Sequence, residues 1–275
     1  MNPSVPALLR AHGLRPKKSL GQNFLIDPTA LQKIVAAADL SAADAVVEVG
    51  AGVGRLTRLL AEQAGRVVAV ELDDRLVQIL REQVADLSHV RIVHGDVRDI
   101  LDFGFSHREY KVVGNLPYYI TSAVLRHFLE NEPRPRLMVV TVQREVAQRV
   151  VAEPGDLSLL AVSVQFYGHP RVVARIPAGA FYPRPQVDSA VVRIDVEEQL
   201  TVALGEGVDE AQFFRVVRAG FSQRRKTLRN SLSGGLRLSP ACVEEALAQI
   251  GVDPRRRAQT LSLQEWADVA HALSQ

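Results

Sequence analysis

The sequence predicts a doubly wound α/β domain followed by a small helical one. Three observations predict it: short β-branched runs recur from about residue 45, longer helical patterns separate them, and the β signal stops beyond residue 200. Continuous apolar strands with helices between them belong to a parallel sheet covered on both faces.

The runs are AVVEVG (45–50), RVVAVE (66–71), VRIVHGD (90–96), KVVGN (111–115) and RLMVVTV (136–142). A helical stretch, DLSLLAVSVQFYG (156–168), precedes two extended runs, PRVVARIP (170–177) and SAVVRIDV (189–196). The proline-rich link between those two is too short for a crossover helix, so the last strand is expected to run antiparallel. Beyond residue 200, DEAQFFRVVRAGF, SPACVEEALAQIG and SLQEWADVAHAL read as amphipathic helices, the last opening on a Ser262–Glu265 capping box. The expected domains are therefore 1–200, with a basic segment over 1–20, and 201–275.

Lys+Arg 33 against Asp+Glu 31 leaves a formal net charge of +2 over 275 residues, which excludes a polycation; any nucleic-acid surface must arise from local clustering. Cys242 is the one cysteine, which excludes an internal disulfide and leaves no companions for a zinc site. The seven histidines lack metal-ligand spacing, and no metal is expected. Arg10, Arg15, Lys17 and Lys18 follow a short, proline-interrupted apolar stretch, the reverse of a secretory signal, and no apolar run approaches the ~18 residues of a membrane span. A soluble cytoplasmic monomer is expected.

VVEVGAGVGR sets Gly50, Gly52 and Gly54 at the end of the first strand, where open α/β sheets bind ligands. The pattern is G-x-G-x-G, with Arg55 where a dinucleotide fingerprint has its last glycine. Glu71 closes the second strand, where a carboxylate can accept from two ribose hydroxyls. Without a pyrophosphate to hold, the glycines serve close backbone approach by a smaller ligand such as S-adenosylmethionine. Asp96 ends the third strand and could accept from an adenine amine. Any one of these features is weak, since such an acid often only caps a helix. Glu48, Asp73 and Asp74 read as caps or as orienters of the loop. The fourth strand ends in NLPYYIT (115–121): a neutral acceptor, a fixed turn and flat aromatic surface suited to a nucleobase.

SLGQNFLID (19–27), VEVGAGVGRLT (47–57), VELD (70–73), GDV (95–97), NLPYYIT (115–121) and FYPRPQVDSAV (181–191) occur in this order in one family. The chain resembles the KsgA/RsmA family of bacterial small-subunit ribosomal RNA adenine N6,N6-dimethyltransferases, from about residue 10 to the C-terminus. The resemblance implies a class I (Rossmann-like) methyltransferase fold: a seven-stranded, mostly parallel sheet with an antiparallel last strand. It implies S-adenosylmethionine as donor and two adjacent adenines of 16S ribosomal RNA, in a small-subunit precursor, as substrate. By matching motifs, Asn23, Leu25, Gly50, Glu71, Asp96 and Asn115 contact the donor, beside Gly52 of the loop.

On that reading Asn115 Oδ1 and the Leu116 carbonyl accept the N6 hydrogens, with Pro117 fixing the turn. Tyr118 and Phe181 stack on the base, or are ordinary core; for Tyr119 core packing is expected. Arg15, Lys17, Lys18, Arg224, Arg225, Lys226 and Arg229 are the expected RNA contacts, while Arg255–Arg257 read equally as a solvated face. The competing functions are an erythromycin-resistance-type methyltransferase of large-subunit RNA and a non-catalytic assembly factor on the same fold.

Overall fold

The computed structural model describes residues 3–274. The chain divides into two compact units: residues up to Ala147 with His169–Glu198, and Gln148–Gly168 with the residues from Gln199 onward.

The first unit opens with α1 (Val5–Ala11), β1 (Phe24–Leu25) and α2 (Pro28–Ala38). The alternation follows: β2 (Ala45–Val49), α3 (Arg55–Ala61), β3 (Arg66–Glu71), α4 (Asp74–Gln83), β4 (Val90–His94), β5 (Tyr110–Asn115), α5 (Thr121–Glu130) and β6 (Leu137–Gln143). After α6 (Arg144–Val150) and α7 (Leu159–Gln165) come β7 (Gly168–Ile176), β8 (Phe181–Tyr182) and β9 (Ser189–Val196).

Seven strands form one sheet in the order β4-β3-β2-β5-β6-β9-β7. β4, β3, β2, β5 and β6 are parallel. β9 runs antiparallel to β6, as expected, and is inserted between β6 and β7. β2 is buried along its whole length, which the β-branched Val46, Val47 and Val49 suit because their stiff side chains pack well on a pleated surface. The register pairs Val49 with both Val70 and Gly114. The residues that follow, Gly50, Glu71 and Asn115, therefore reach one level at the carboxyl edge of the sheet.

The opposite edge is pinned by a buried cation. Lys111 Nζ donates to the Ala38 carbonyl (3.0 Å) and to Asp44 Oδ2 (3.2 Å), so it caps the C-terminus of α2 as well as pairing with an acid. Arg136 also pairs with Asp44. Burial, which would push the Asp44 carboxyl up, is outweighed by the Ser41 N–H and by Lys111, so it is held below the usual range.

A two-stranded ribbon stands outside the main sheet. β1 and β8 pair antiparallel, Phe24 with Tyr182 and Leu25 with Phe181. Alternation then sends Leu25 and Phe181 into the main core and leaves Phe24 and Tyr182 packed near α1 and α4.

The second unit contains α8 (Glu210–Phe221), α9 (Leu228–Leu236), α10 (Pro240–Gln249) and α11 (Leu263–Ala272). The capping box is present: Glu265 N–H donates to Ser262 Oγ (3.1 Å) and Ser262 N–H to Glu265 Oε2 (2.7 Å). Residues Gln148–Gly168, placed by sequence in the first domain, pack here instead. Phe166 explains this, stacking on Phe213 with ring centroids 4.4 Å apart and meeting Phe214 edge-on. No helical signal is legible over α9, because Gly234 and Gly235 weaken it. A Cβ on Gly235 would lie 2.6 Å from that of Ala219, so the close approach of α9 to α8 accounts for the glycine.

Candidate active site

Glycine makes the loop after β2 possible. Gly50, Gly52 and Gly54 all have positive φ (74°, 60° and 81°). At Gly52 space adds a second reason, since a Cβ there would lie 3.3 Å from the Phe24 ring. Glu71 clamps this loop. Its Oε2 accepts from Gly52 N–H (2.7 Å) and its Oε1 from Asp73 N–H (2.8 Å). Burial pushes the Glu71 carboxyl up, opposed by the N–H groups of Asp73 and Gly52. Each oxygen keeps a further lone pair for a ligand hydroxyl.

The loop forms one wall of a cleft of about 790 Å³, partly open to solvent. Asn23, Gly50, Gly52, Glu71, Asp96 and Asn115, six of the expected donor-binding residues, line it together with Leu116, Pro117 and Tyr118. Val70, Leu72, Leu76, Val97 and Ile120 supply apolar surface on which a purine can lie. Leu25 is the exception, buried at 5 % exposure, with only the smaller adjoining pocket beside it.

Asn115 Nδ2 donates to the Asn23 carbonyl (2.9 Å), which fixes which end of the amide is which. Oδ1 is left with no donor among the described residues. Leu116 buries its side chain and donates its N–H to the Thr141 carbonyl (3.2 Å), so its carbonyl is what the turn offers a ligand. The Tyr118 hydroxyl bonds Ser189 Oγ (2.8 Å), which ties the ring to β9, and burial raises its pKa.

Several expected roles change. Phe181 is 3 % exposed and belongs to the core with Leu25 and Ile176, because the register of the ribbon turns it inward; it does not line the cleft. Tyr119, expected in the core, is instead 58 % exposed and stands at the rim, its ring 3.2 Å from where a Gly21 Cβ would be. Asp96 receives Arg98 Nε (2.9 Å) and Arg98 N–H (3.0 Å), and Arg98 holds its carboxyl below the usual range. An adenine amine would have to share that acid with Arg98.

Among the expected RNA contacts, Arg15, Lys18, Arg224, Arg225 and Lys226 are exposed and make no ion pair among the described residues. Lys17 pairs with Asp73 (3.3 Å), and Arg229 with Glu244 on α10. Arg255 pairs with Asp253 and Arg256 with Glu265. The main-chain carbonyls of Pro254 and Arg256 accept from the N–H groups of Arg229 (3.1 Å) and Leu228 (2.8 Å), so that basic run serves to cap the start of α9.

Phe24 and Ser189 were not singled out in the sequence, and Asp73 was read only as a cap or an orienter of the loop. Phe24 sits within a quoted motif, and its alternation with Leu25 was the available signal. The partners of Ser189 and Asp73 lie 71 and 56 residues away in sequence, beyond any local pattern.

Among the described residues no group of three or more His, Cys, Asp or Glu could hold a metal ion, and no helix is long and apolar enough to cross a membrane. The residues fit S-adenosylmethionine: a buried acid at the end of β3, glycines in place of side chains, and apolar walls.

Known proteins are similar to this chain in sequence and fold. Residues 13–275 match the family described as "Ribosomal RNA adenine dimethylase". A protein of Dehalococcoides mccartyi named "Ribosomal RNA small subunit methyltransferase A" is 50% identical over 264 residues, covering 94% of this chain and 89% of its own. One of the same name from Moorella thermoacetica is 45% identical over 279 residues, covering 97% and 96%. Among crystal structures, the 23S rRNA methyltransferase ErmE is similar with a TM-score of 0.70 and 28% identity, over 92% of this chain and 100% of that one. A dimethyladenosine transferase from Plasmodium falciparum shares the fold, with a TM-score of 0.75 and 21% identity over 88% and 94%. A match running through the glycine loop, the NLPYY turn and the C-terminal helices leaves one conclusion: the chain belongs to the ribosomal RNA adenine dimethylase family, enzymes that take their methyl groups from S-adenosylmethionine.

Proposed function

We propose that this enzyme converts two adjacent adenines, in the hairpin near the 3′ end of 16S ribosomal RNA, to N6,N6-dimethyladenosine, acting as a cytoplasmic monomer on a small-subunit precursor. The single observation that carries the chemistry is the fixed amide of Asn115, whose nitrogen is engaged by Asn23 and whose oxygen is unengaged.

The N6 amine of adenine is a poor nucleophile because its lone pair is delocalised into the ring. Asn115 Oδ1 and the Leu116 carbonyl accept the two N6 hydrogens, draw the pair back onto nitrogen and stabilise the positive charge that develops there. No strong base is required, since the proton is acidic only after methyl transfer. Bound S-adenosylmethionine would supply the electrophilic methyl and leave as the neutral thioether; Glu71, Gly50 and Gly52 would hold it, and Asp96 would receive its adenine amine. The target base must leave its stack, at a cost of a few kcal/mol, and Tyr118 recovers part of this by stacking.

The rival reading, methylation of large-subunit RNA, draws on the likeness to ErmE. The 45–50% identity to proteins named for the small subunit, against 28% to ErmE, favours the small subunit. The test is to incubate enzyme and labelled S-adenosylmethionine with undermethylated small subunits, large subunits and free RNA, then identify the labelled nucleosides. Dimethyladenosine from small subunits alone is expected; label confined to large subunits would reverse the reading.

A further inference from the structure

One acidic side chain near the cleft is unused by this chemistry. Asp73 follows β3 two residues after Glu71 and caps α4, and its side chain is fully buried. It collects more donors than a cap needs. Gln22 Nε2 lies 2.9 Å away, Lys17 Nζ 3.3 Å, and Arg75 approaches through Nε at 2.9 Å and Nη2 at 2.6 Å.

Gln22 and Lys17 belong to the segment that runs from α1 to β1 and lines the cleft from Leu20 to Phe24. The side chain of Gln22 works in two directions, since its Oε1 also accepts from Lys17 N–H (2.7 Å) and locks the segment's own bend. The next residue, Asn23, presents the carbonyl that receives Asn115 Nδ2. A connected path thus runs from Asp73 through Gln22 and Asn23 to the nitrogen of the Asn115 amide, whose engagement leaves the oxygen free.

We infer that Asp73 is a positioning residue for methyl transfer: by gripping Gln22 and Lys17 it sets the segment whose Asn23 carbonyl orients the Asn115 amide. This rests on the reading of Asn115 given above. Released from Asp73, the segment no longer fixes Asn23, and the amide can present nitrogen as readily as oxygen to the adenine amine. A donor facing a donor cannot activate the nucleophile.

Asp73→Asn is the informative variant. It keeps the backbone N–H that binds Glu71 and remains a good helix cap, while removing the charge that gathers Lys17 and Arg75. With saturating S-adenosylmethionine and RNA, the rate constant of a single turnover is expected to fall about 10- to 100-fold. Trypsin is expected to cut after Lys17 or Lys18 faster than in the parent enzyme. A merely structural loss would lower the amplitude of that turnover, not its rate constant.

Gln22→Ala breaks the same path while leaving every charge in place, and it serves where Asp73→Asn folds poorly; its rate constant is expected to fall likewise. Unchanged rate constants in both variants, alongside a slow Asn115→Ala, would overturn this inference alone. A normal rate constant in Asn115→Ala would remove the role of the amide, and with it the target of the path.

Discussion

Asn115 gives hydrogen in one direction and is built to receive it in the other. Replacing it with alanine removes both acceptor and orienter without touching Glu71 or the glycines. Asn115→Ala is therefore expected to abolish both methylations while binding of S-adenosylmethionine stays measurable by calorimetry. Near-normal turnover would remove the mechanism. Glu48 makes a different prediction. It is 1 % exposed, Oε2 has no partner among the described residues, and burial, opposed by the Thr57 hydroxyl and reinforced by the charge of Glu71, pushes its carboxyl from 4.5 up to about 8. Between those values the folded chain holds a proton that the unfolded chain has released, so this residue makes the fold less stable as pH rises from 4.5 to about 8, after which its effect is level. The total is of the order of a few kcal/mol. Denaturant titrations of the cofactor-free protein at several pH values should show Glu48→Gln free of that component; an identical pH profile in the variant would contradict it.

Helix packing sets the next scale. In α8, a Cβ on Gly220 would lie 2.3 Å from Cη2 of Trp266, a fully buried ring on α11. Gly220→Ala is expected to destabilise the second unit by about 1–3 kcal/mol, despite the better helix propensity of alanine, because overpacking outweighs propensity. Urea denaturation followed by tryptophan fluorescence reads this directly, since Trp266 is the sole tryptophan. An unchanged midpoint would show that α8 and α11 can separate at no cost. Elements of this kind also show what a sequence yields. β2, β3, β5 and β6 were legible because apolar, β-branched runs leave few alternatives, and the glycine loop because its requirement is local. α9 was hidden by its own Gly234 and Gly235. The β1–β8 ribbon was hidden because two residues per strand carry no periodicity. The same gap hid the inward turn of Phe181, since it depends on pairing with Leu25, a residue far away in sequence.

For the whole molecule the decisive quantity is where its positive charge is unspent. A net charge of +2 conceals exposed cations at Arg15, Lys18, Arg224, Arg225 and Lys226, while Lys17, Arg229, Arg255 and Arg256 are committed to acids within the protein. RNA affinity should fall steeply with salt, each phosphate contact adding roughly 0.7–0.9 to the slope of log K against log salt. Replacing Arg224 and Lys226 by alanine should reduce that slope by about 1–2. Arg229→Ala should leave the slope unchanged and instead weaken the pairing of α9 with α10. Equal slopes in all variants, measured by filter binding, would show that RNA is held elsewhere. Sequence alone could not make this division, because a charge run looks the same whether its partners are phosphates or carboxylates.

The contact of Tyr119 with Gly21 has a consequence for the order of events. Spent donor must depart before each new methyl can be delivered, and the segment that lines the cleft from Leu20 to Phe24 is continuous with Arg15 and Lys18. A transcript that gathers those cations is expected to slow donor exchange while it stays bound. Distributive catalysis is the expected outcome: singly modified adenines leave the enzyme and return, so free monomethylated RNA should accumulate before the dimethylated product.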